Sequence, residues 1–135
     1  MGESSPPMRI VFYRNSRGRL PALDWLSELA DRDAALFVHV VATLEELAAR
    51  GRALGPPACV HVAAGIHELR ARAPRPCPPI LFFFHGESAV ALGPLTRPGD
   101  PLPLLSLVRA CQHRRAFERD PIGRSHAEYA ESEAL

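Results

Sequence analysis

Arg70 and Arg72 stand two residues apart, with Glu68 two before them, in the segment Ile66-His67-Glu68-Leu69-Arg70-Ala71-Arg72. On an extended strand this spacing puts all three side chains on one face. A pair of guanidinium groups suits a phosphate, because each planar fork donates two hydrogen bonds and stays charged. The competing arrangement is an exposed stripe in which Glu68 neutralises its neighbours. A second cationic group, His113-Arg114-Arg115, falls on the outer side of what reads as a last helix, where it can meet an RNA backbone or simply be solvated. His67 reads as a packed or edge residue, and His85, in the turn His85-Gly86-Glu87, as a solvated one. Neither His-Glu-x-x-His nor Cys-x-x-Cys occurs, and Cys59, Cys77 and Cys111 are far apart, so no metal, cofactor or disulfide framework is implied. No glycine loop for phosphate and no serine or cysteine with a recognisable histidine partner is present either.

The elements that must hold these groups follow from hydrophobic period and turn residues. Met8 to Tyr13 is a short run of β-formers ended by Asn15-Ser16-Arg17-Gly18-Arg19, which predicts a first strand. Pro21 opens a helix with Leu23, Leu26 and Leu29 at helical spacing and Trp25 as a core anchor, and Asp31 restarts the chain. From Arg32 to Arg50, Leu36, Phe37, Val40, Val41, Leu44 and Leu47 mark one face of a longer helix closed by Gly51. Beyond Gly55-Pro56-Pro57 the period shortens. Cys59 to Val62, Ile66 to Arg72, Ile80 to Phe84 and Ala89 to Leu92 predict an antiparallel meander, with the Ile80 to Phe84 run central and buried on both faces. Leu104 to Phe117 predicts the closing helix, with Leu104, Leu107, Val108 and Cys111 inward.

A single domain is the expectation from 135 residues, of which 47% are apolar and 23% charged. We expect a disordered start over residues 1–7, a folded domain over 8–117 and an acidic, disordered tail over 118–135. That tail sets five carboxylates against two arginines, a charge of −3, which leaves +4 on the rest of a chain whose net charge is +1. All sixteen basic residues are arginine. A modestly basic body is compatible with a nucleic-acid partner. No apolar run approaches the ~18 residues of a membrane span and the start lacks the features of a signal peptide, so the expectation is a cytoplasmic protein with no membrane partner.

Several local motifs, together with this order of elements, resemble the RelE/ParE toxin superfamily and especially its phage-derived HigB-like branch. The resemblance spans about Ile10 to Phe117. An aromatic strand, a glycine turn and a proline-initiated helix are matched by Val11-Phe12-Tyr13, Gly18-Arg19-Leu20-Pro21 and Trp25-Leu26. The family's Gly-apolar-aromatic-Glu-Leu-Arg signature is similar to Gly65-Ile66-His67-Glu68-Leu69-Arg70, and its aromatic strand to Ile80-Leu81-Phe82-Phe83-Phe84.

The resemblance implies an α+β RelE-like fold, with an N-terminal strand and two helices packed on an antiparallel sheet and a C-terminal helix. It also implies a toxin that cuts messenger RNA in the ribosome without a metal and is held inactive by a cognate helix-turn-helix antitoxin. In that chemistry a ribose 2′-OH attacks its own 3′-phosphate, while cations stabilise the phosphorane. Arg70 is then the first catalytic candidate. Arg97, aligned with the first lysine of the family's Lys-Lys motif, is the second. Arg72, His113, Arg114 and Arg115 are the RNA-binding candidates. The chain departs from the family where an aromatic-Arg pair becomes Pro78-Pro79, and where His-Gly-Phe-x-Lys-Lys becomes Gly93-Pro94-Leu95-Thr96-Arg97-Pro98. Losing one transition-state donor commonly costs ~10²- to 10³-fold in rate, so Arg72, Arg75 or His85 would have to substitute. The alternative expectation is a catalytically decayed relative that only binds an antitoxin or another macromolecule. Inhibition of DNA gyrase, implied by the ParE branch, is a lesser one.

Overall fold

The computed structural model describes residues 7–95 and 104–127. Its elements are β1 (Arg9–Phe12), α1 (Pro21–Arg32), α2 (Ala34–Arg50), β2 (Cys59–Ala63), β3 (Ile66–Leu69), β4 (Ile80–His85), β5 (Ser88–Pro94) and α3 (Leu104–Arg119), with one 3₁₀ turn after α2. Among the described residues the fold is α+β: three helices and a five-stranded sheet in the order β1-β5-β4-β3-β2.

Pro21 starts α1 because its fixed φ suits the first turn and its missing N–H is not needed there. The break before α2 comes at Asp33 rather than Asp31. The Asp33 N–H closes α1 on the Leu29 carbonyl, and its carboxylate accepts from the Leu36 N–H at 3.2 Å to cap α2. One residue thus ends the first helix and begins the second. Gly51 ends α2 at φ 57°, with its N–H on the Leu47 carbonyl.

Strands β2 to β5 form the expected antiparallel meander, but β1 pairs with β5 in parallel, Arg9 opposite Ser88 through Phe12 opposite Ala91. The sheet is therefore mixed, a correction to the antiparallel expectation. Its cause is the long path between β1 and β5: a strand joined through two helices and three strands need not return as a hairpin. Strand β3 stops at Leu69, short of the predicted Arg72.

Alternation along the strands sorts the core into two clusters on opposite faces of the sheet. Leu69, Ile80, Phe82, Ala89 and Ala91 pack under α1 and α2 against Leu26, Leu29, Val40 and Leu47, with Trp25 partly buried beside them. Val11, Tyr13, Ile66, Leu81, Phe83 and Val90 pack under α3 against Ala110 and Phe117. Strand β4 supplies both clusters, which is why its sequence offers no polar side.

The face of α3 differs from expectation. Leu104 and Val108 are exposed, and the helix buries Ala110 and Phe117 instead, with Leu107 and Cys111 partly covered. Phe117 is the anchor, edge-on to Phe83 at 5.6 Å, and its position sets the helix rotation. The expected boundary at 117 falls inside α3. Past the helix, Ser125 is buried and bridges Tyr13, the Arg14 N–H donates to the Arg124 carbonyl, and the Phe12 N–H donates to His126 Nδ1 at 3.1 Å. The outer edge of β1 is covered by this segment.

Candidate functional site

Glu68 lies opposite Leu81, a member of the α3-side cluster, so its side chain sits on that face of the sheet. It is buried, with 6% of the side chain exposed, and Oε1 accepts from Arg70 Nη2 at 2.6 Å and Nε at 3.1 Å. Two bonds to one oxygen fix the guanidinium plane, while more than half of the Arg70 side chain, 54%, stays in solvent. The Arg70 N–H donates to the Ala58 carbonyl at 2.7 Å, which extends the β2–β3 pairing by one bond beyond the strand. Arg70 is therefore held at both ends.

The same residue is one wall of a cleft of about 440 Å³ between α2 and the chain that follows β3. Arg70 and Arg72 line it on one side. His39, Thr43 and Glu46 line it on the other, at successive helical turns of α2, and Pro57 and Ala58 close it. The small side chains Ala42, Ala58 and Ala71 are what leave the space open. Two of the lining groups are already engaged: Thr43 Oγ1 donates to the His39 carbonyl at 2.9 Å, and Glu46 pairs with Arg50 at 3.6 Å. The His39 ring and the Arg72 guanidinium are exposed and make no hydrogen bond or ion pair with the described residues. A volume in the ~300–1,000 Å³ range of small-ligand sites, with donors at its rim, can hold a small anion-bearing group.

The remaining candidates do not gather with this pair. Arg114 reaches back across the sheet, where Nη1 donates to the Ala64 carbonyl at 3.0 Å, Nε pairs with Glu118 at 3.4 Å, and the guanidinium lies over the Phe83 ring at 5.7 Å. It clamps the β2–β3 turn to α3. That turn holds both Ala64 and Gly65 at positive φ, and a Cβ on Gly65 would collide with the Arg114 guanidinium. His113 is half-buried and stacked on Tyr13 at 4.9 Å, and burial, then the nearby charge of Arg109, pushes its pKa down. Arg115 alone of that trio is exposed. Arg97 lies outside the described residues.

Of the three residues named above as possible substitutes, Arg75 is paired with Asp33 and His85 is edge-on to Phe117 at 5.1 Å, which leaves Arg72. Pro79 is buried, and its carbonyl accepts the Leu95 N–H at 2.8 Å, so its position serves the β4–β5 end of the sheet.

His67 is on the other face from Glu68, stacked on Phe82 at 5.3 Å and edge-on to Phe84 and His61, both at 5.0 Å. Burial, then the charges of His61, Arg52 and Arg114, lowers its pKa, and among the described residues its Nδ1 is a buried atom with no partner. Burial raises the pKa of the Cys59 and Cys77 thiols, and Asp33 raises Cys77 further, which keeps both in the weakly nucleophilic protonated form. Among the described residues no helix is long and apolar enough to cross a membrane.

Sequence reasoning missed His39, Thr43 and Glu46. Their spacing of four and three was visible, but what faces α2 across the cleft is set by the path of the chain after β3. No protein-family model and no curated protein matches the chain.

Proposed function

We propose that this chain is a metal-free endoribonuclease of the RelE/HigB toxin type, acting on messenger RNA in the ribosome and restrained by a helix-turn-helix antitoxin, with Arg70 as its principal phosphate contact. The observation that carries the reading is the Glu68–Arg70 pair: a buried carboxylate orients a half-exposed guanidinium at the end of β3. A pre-oriented fork loses less freedom on meeting a phosphate than a mobile one, and such preorganisation is what stabilises developing charge. Arg72 supplies the second cation of the pair, and Arg97 remains the further candidate on the resemblance alone.

Inducible expression in a bacterium tests it, with growth and mapped messenger 5′ ends compared for the wild type and Arg70→Ala. Growth arrest with new 5′ ends, both lost in the variant while folded protein persists, is the expected result. Normal growth with abundant soluble wild-type protein would overturn it. A second reading, a decayed relative that only binds, is favoured by one observation: Pro78 and Pro79 occupy positions where the related toxins carry a cationic contact, and Pro79 is built into the sheet end.

A further inference from the structure

We propose that the cleft between α2 and the chain after β3 is a subsite for one nucleotide of a single-stranded RNA, with Arg72 and His39 holding its phosphate. The inference rests on the RNA reading above for its substrate class, and adds to Arg72 a location and a partner, His39, that neither the motif nor the resemblance supplies.

Three observations converge. The cleft, at about 440 Å³, has the dimensions of a small-ligand site, and Arg70, whose guanidinium Glu68 holds on the α3 face, is among the residues that line it. Its two uncommitted polar groups, Arg72 and the His39 ring, stand on opposite walls, so a phosphate entering between them is met from both sides. The one carboxylate that lines the cleft among the described residues, Glu46, already has Arg50 as a partner at 3.6 Å, which reduces its repulsion of an anion. Apart from Thr43, whose hydroxyl donates to the His39 carbonyl, the rest of the lining is small and apolar: Ala42, Ala58 and Ala71, with the Pro57 ring. A wall of small apolar side chains beside these donors leaves room for a base next to its phosphate, and single-stranded RNA presents unstacked bases for such contact. A peptide carboxylate would use the same donors, but would leave this wall without a planar partner.

The test is an NMR titration of the full chain. The probes are guanosine 3′-monophosphate, guanosine, inorganic phosphate and a six-nucleotide single-stranded RNA. Shifts at the His39 ring, Thr43 and Arg72 are expected with the monophosphate, weaker binding with phosphate and with guanosine, and tighter binding with the hexanucleotide. Because Arg72 and His39 are exposed, Arg72→Ala and His39→Gln should leave the rest of the spectrum in place, and Arg72→Ala should weaken the monophosphate roughly tenfold. Shifts confined to the α3 side, affinity unchanged in both variants, or phosphate bound as tightly as the monophosphate would each overturn the proposal. Binding here with message left uncut would sink the nuclease reading and keep the subsite. Cleavage without shifts at His39 and Arg72 would do the reverse.

Discussion

Glu68 and Arg70, joined at 2.6 Å, divide their burial unequally: the Glu68 side chain is 6% exposed and the Arg70 side chain 54%. The pair is structural on one side and available on the other. Removing the arginine therefore strands a buried carboxylate, a different event from removing a surface charge.

Arg70→Ala should accordingly lower stability by about 1–3 kcal/mol, less than for a fully buried pair because Arg70 is half in solvent. The double variant Glu68→Gln, Arg70→Ala should recover part of that loss. Urea midpoints for the wild type, both single variants and the double variant measure the coupling. Additive losses would mean that the two side chains do not depend on one another. The same set guards the toxicity test, since the double variant lacks the guanidinium without the stranded charge.

Acid should weaken the fold as pH falls below 6.5. His67 and His113 both have pKa values lowered from 6.5 by burial, so below that value the unfolded chain takes up protons that the folded chain resists. The stability they contribute is present above pH 6.5 and is lost as pH falls through their lowered folded values. Asp33 acts lower: its backbone bond from Leu36, then its contacts with Arg75, hold its pKa below 3.8, so its contribution is present above that value and lost in stronger acid. Thermal midpoints at pH 7.5 and 5.5 should fall for the wild type and fall less for His67→Phe. An equal fall in both would exclude His67 as a source.

His67→Phe should also be more stable than the wild type at pH 7.5, by about 1 kcal/mol, because it removes a buried ring nitrogen that has no partner among the described residues and keeps the stacking on Phe82. Denaturant unfolding at that pH measures it, and a less stable variant would mean that the nitrogen is satisfied by bound water.

Ala64→Gly should stabilise the protein by up to about 1 kcal/mol. Ala64 sits at φ 53°, where a Cβ is unfavourable and glycine is at ease, although glycine's freer unfolded chain offsets part of the gain. Gly65→Ala, at φ 77° and against the Arg114 guanidinium, should destabilise. Thermal midpoints of the two variants should move in opposite directions.

Phe117→Ala should cost about 3–5 kcal/mol, the range for emptying a fully buried aromatic site. Leu104→Ala, on an exposed turn of the same helix, should cost less than about 0.5 kcal/mol. Urea unfolding of the two variants checks the rotation of α3.

That rotation shows where the sequence was legible and where it was not. Pro21, Gly51 and the period of α2 are local signals, and each marks the element it heralds. Strand β4 announced its two-sided burial by having no polar side. The apolar residues of α3, by contrast, are spread around the helix, and Phe117 wins because Phe83 and His85 await it on the sheet, a fact that no window of neighbouring residues contains. The parallel pairing of β1 is equally non-local. The Arg70–Arg72 pair was visible as two cations on a strand, but strand β3 ends before Arg72. Glu68 claims Arg70 and leaves Arg72 uncommitted, a distinction that depends on depth of burial, which alternation alone does not give.

The placement of β1 at the sheet edge has a temporal side. Its backbone partners are Ser88 to Ala91 on one edge, and on the other it reaches His126, 114 residues after Phe12. At ~5–20 residues per second, a growing chain carries Ile10 and Phe12 unpaired for on the order of ten seconds before those partners are even made. Such long-range closure slows folding, and an apolar strand waiting that long is open to intermolecular pairing. Strand β1, made before the other four strands of this sheet, is the last that can be fully enclosed, so the growing chain passes through a stage in which Arg9 to Phe12 need shelter.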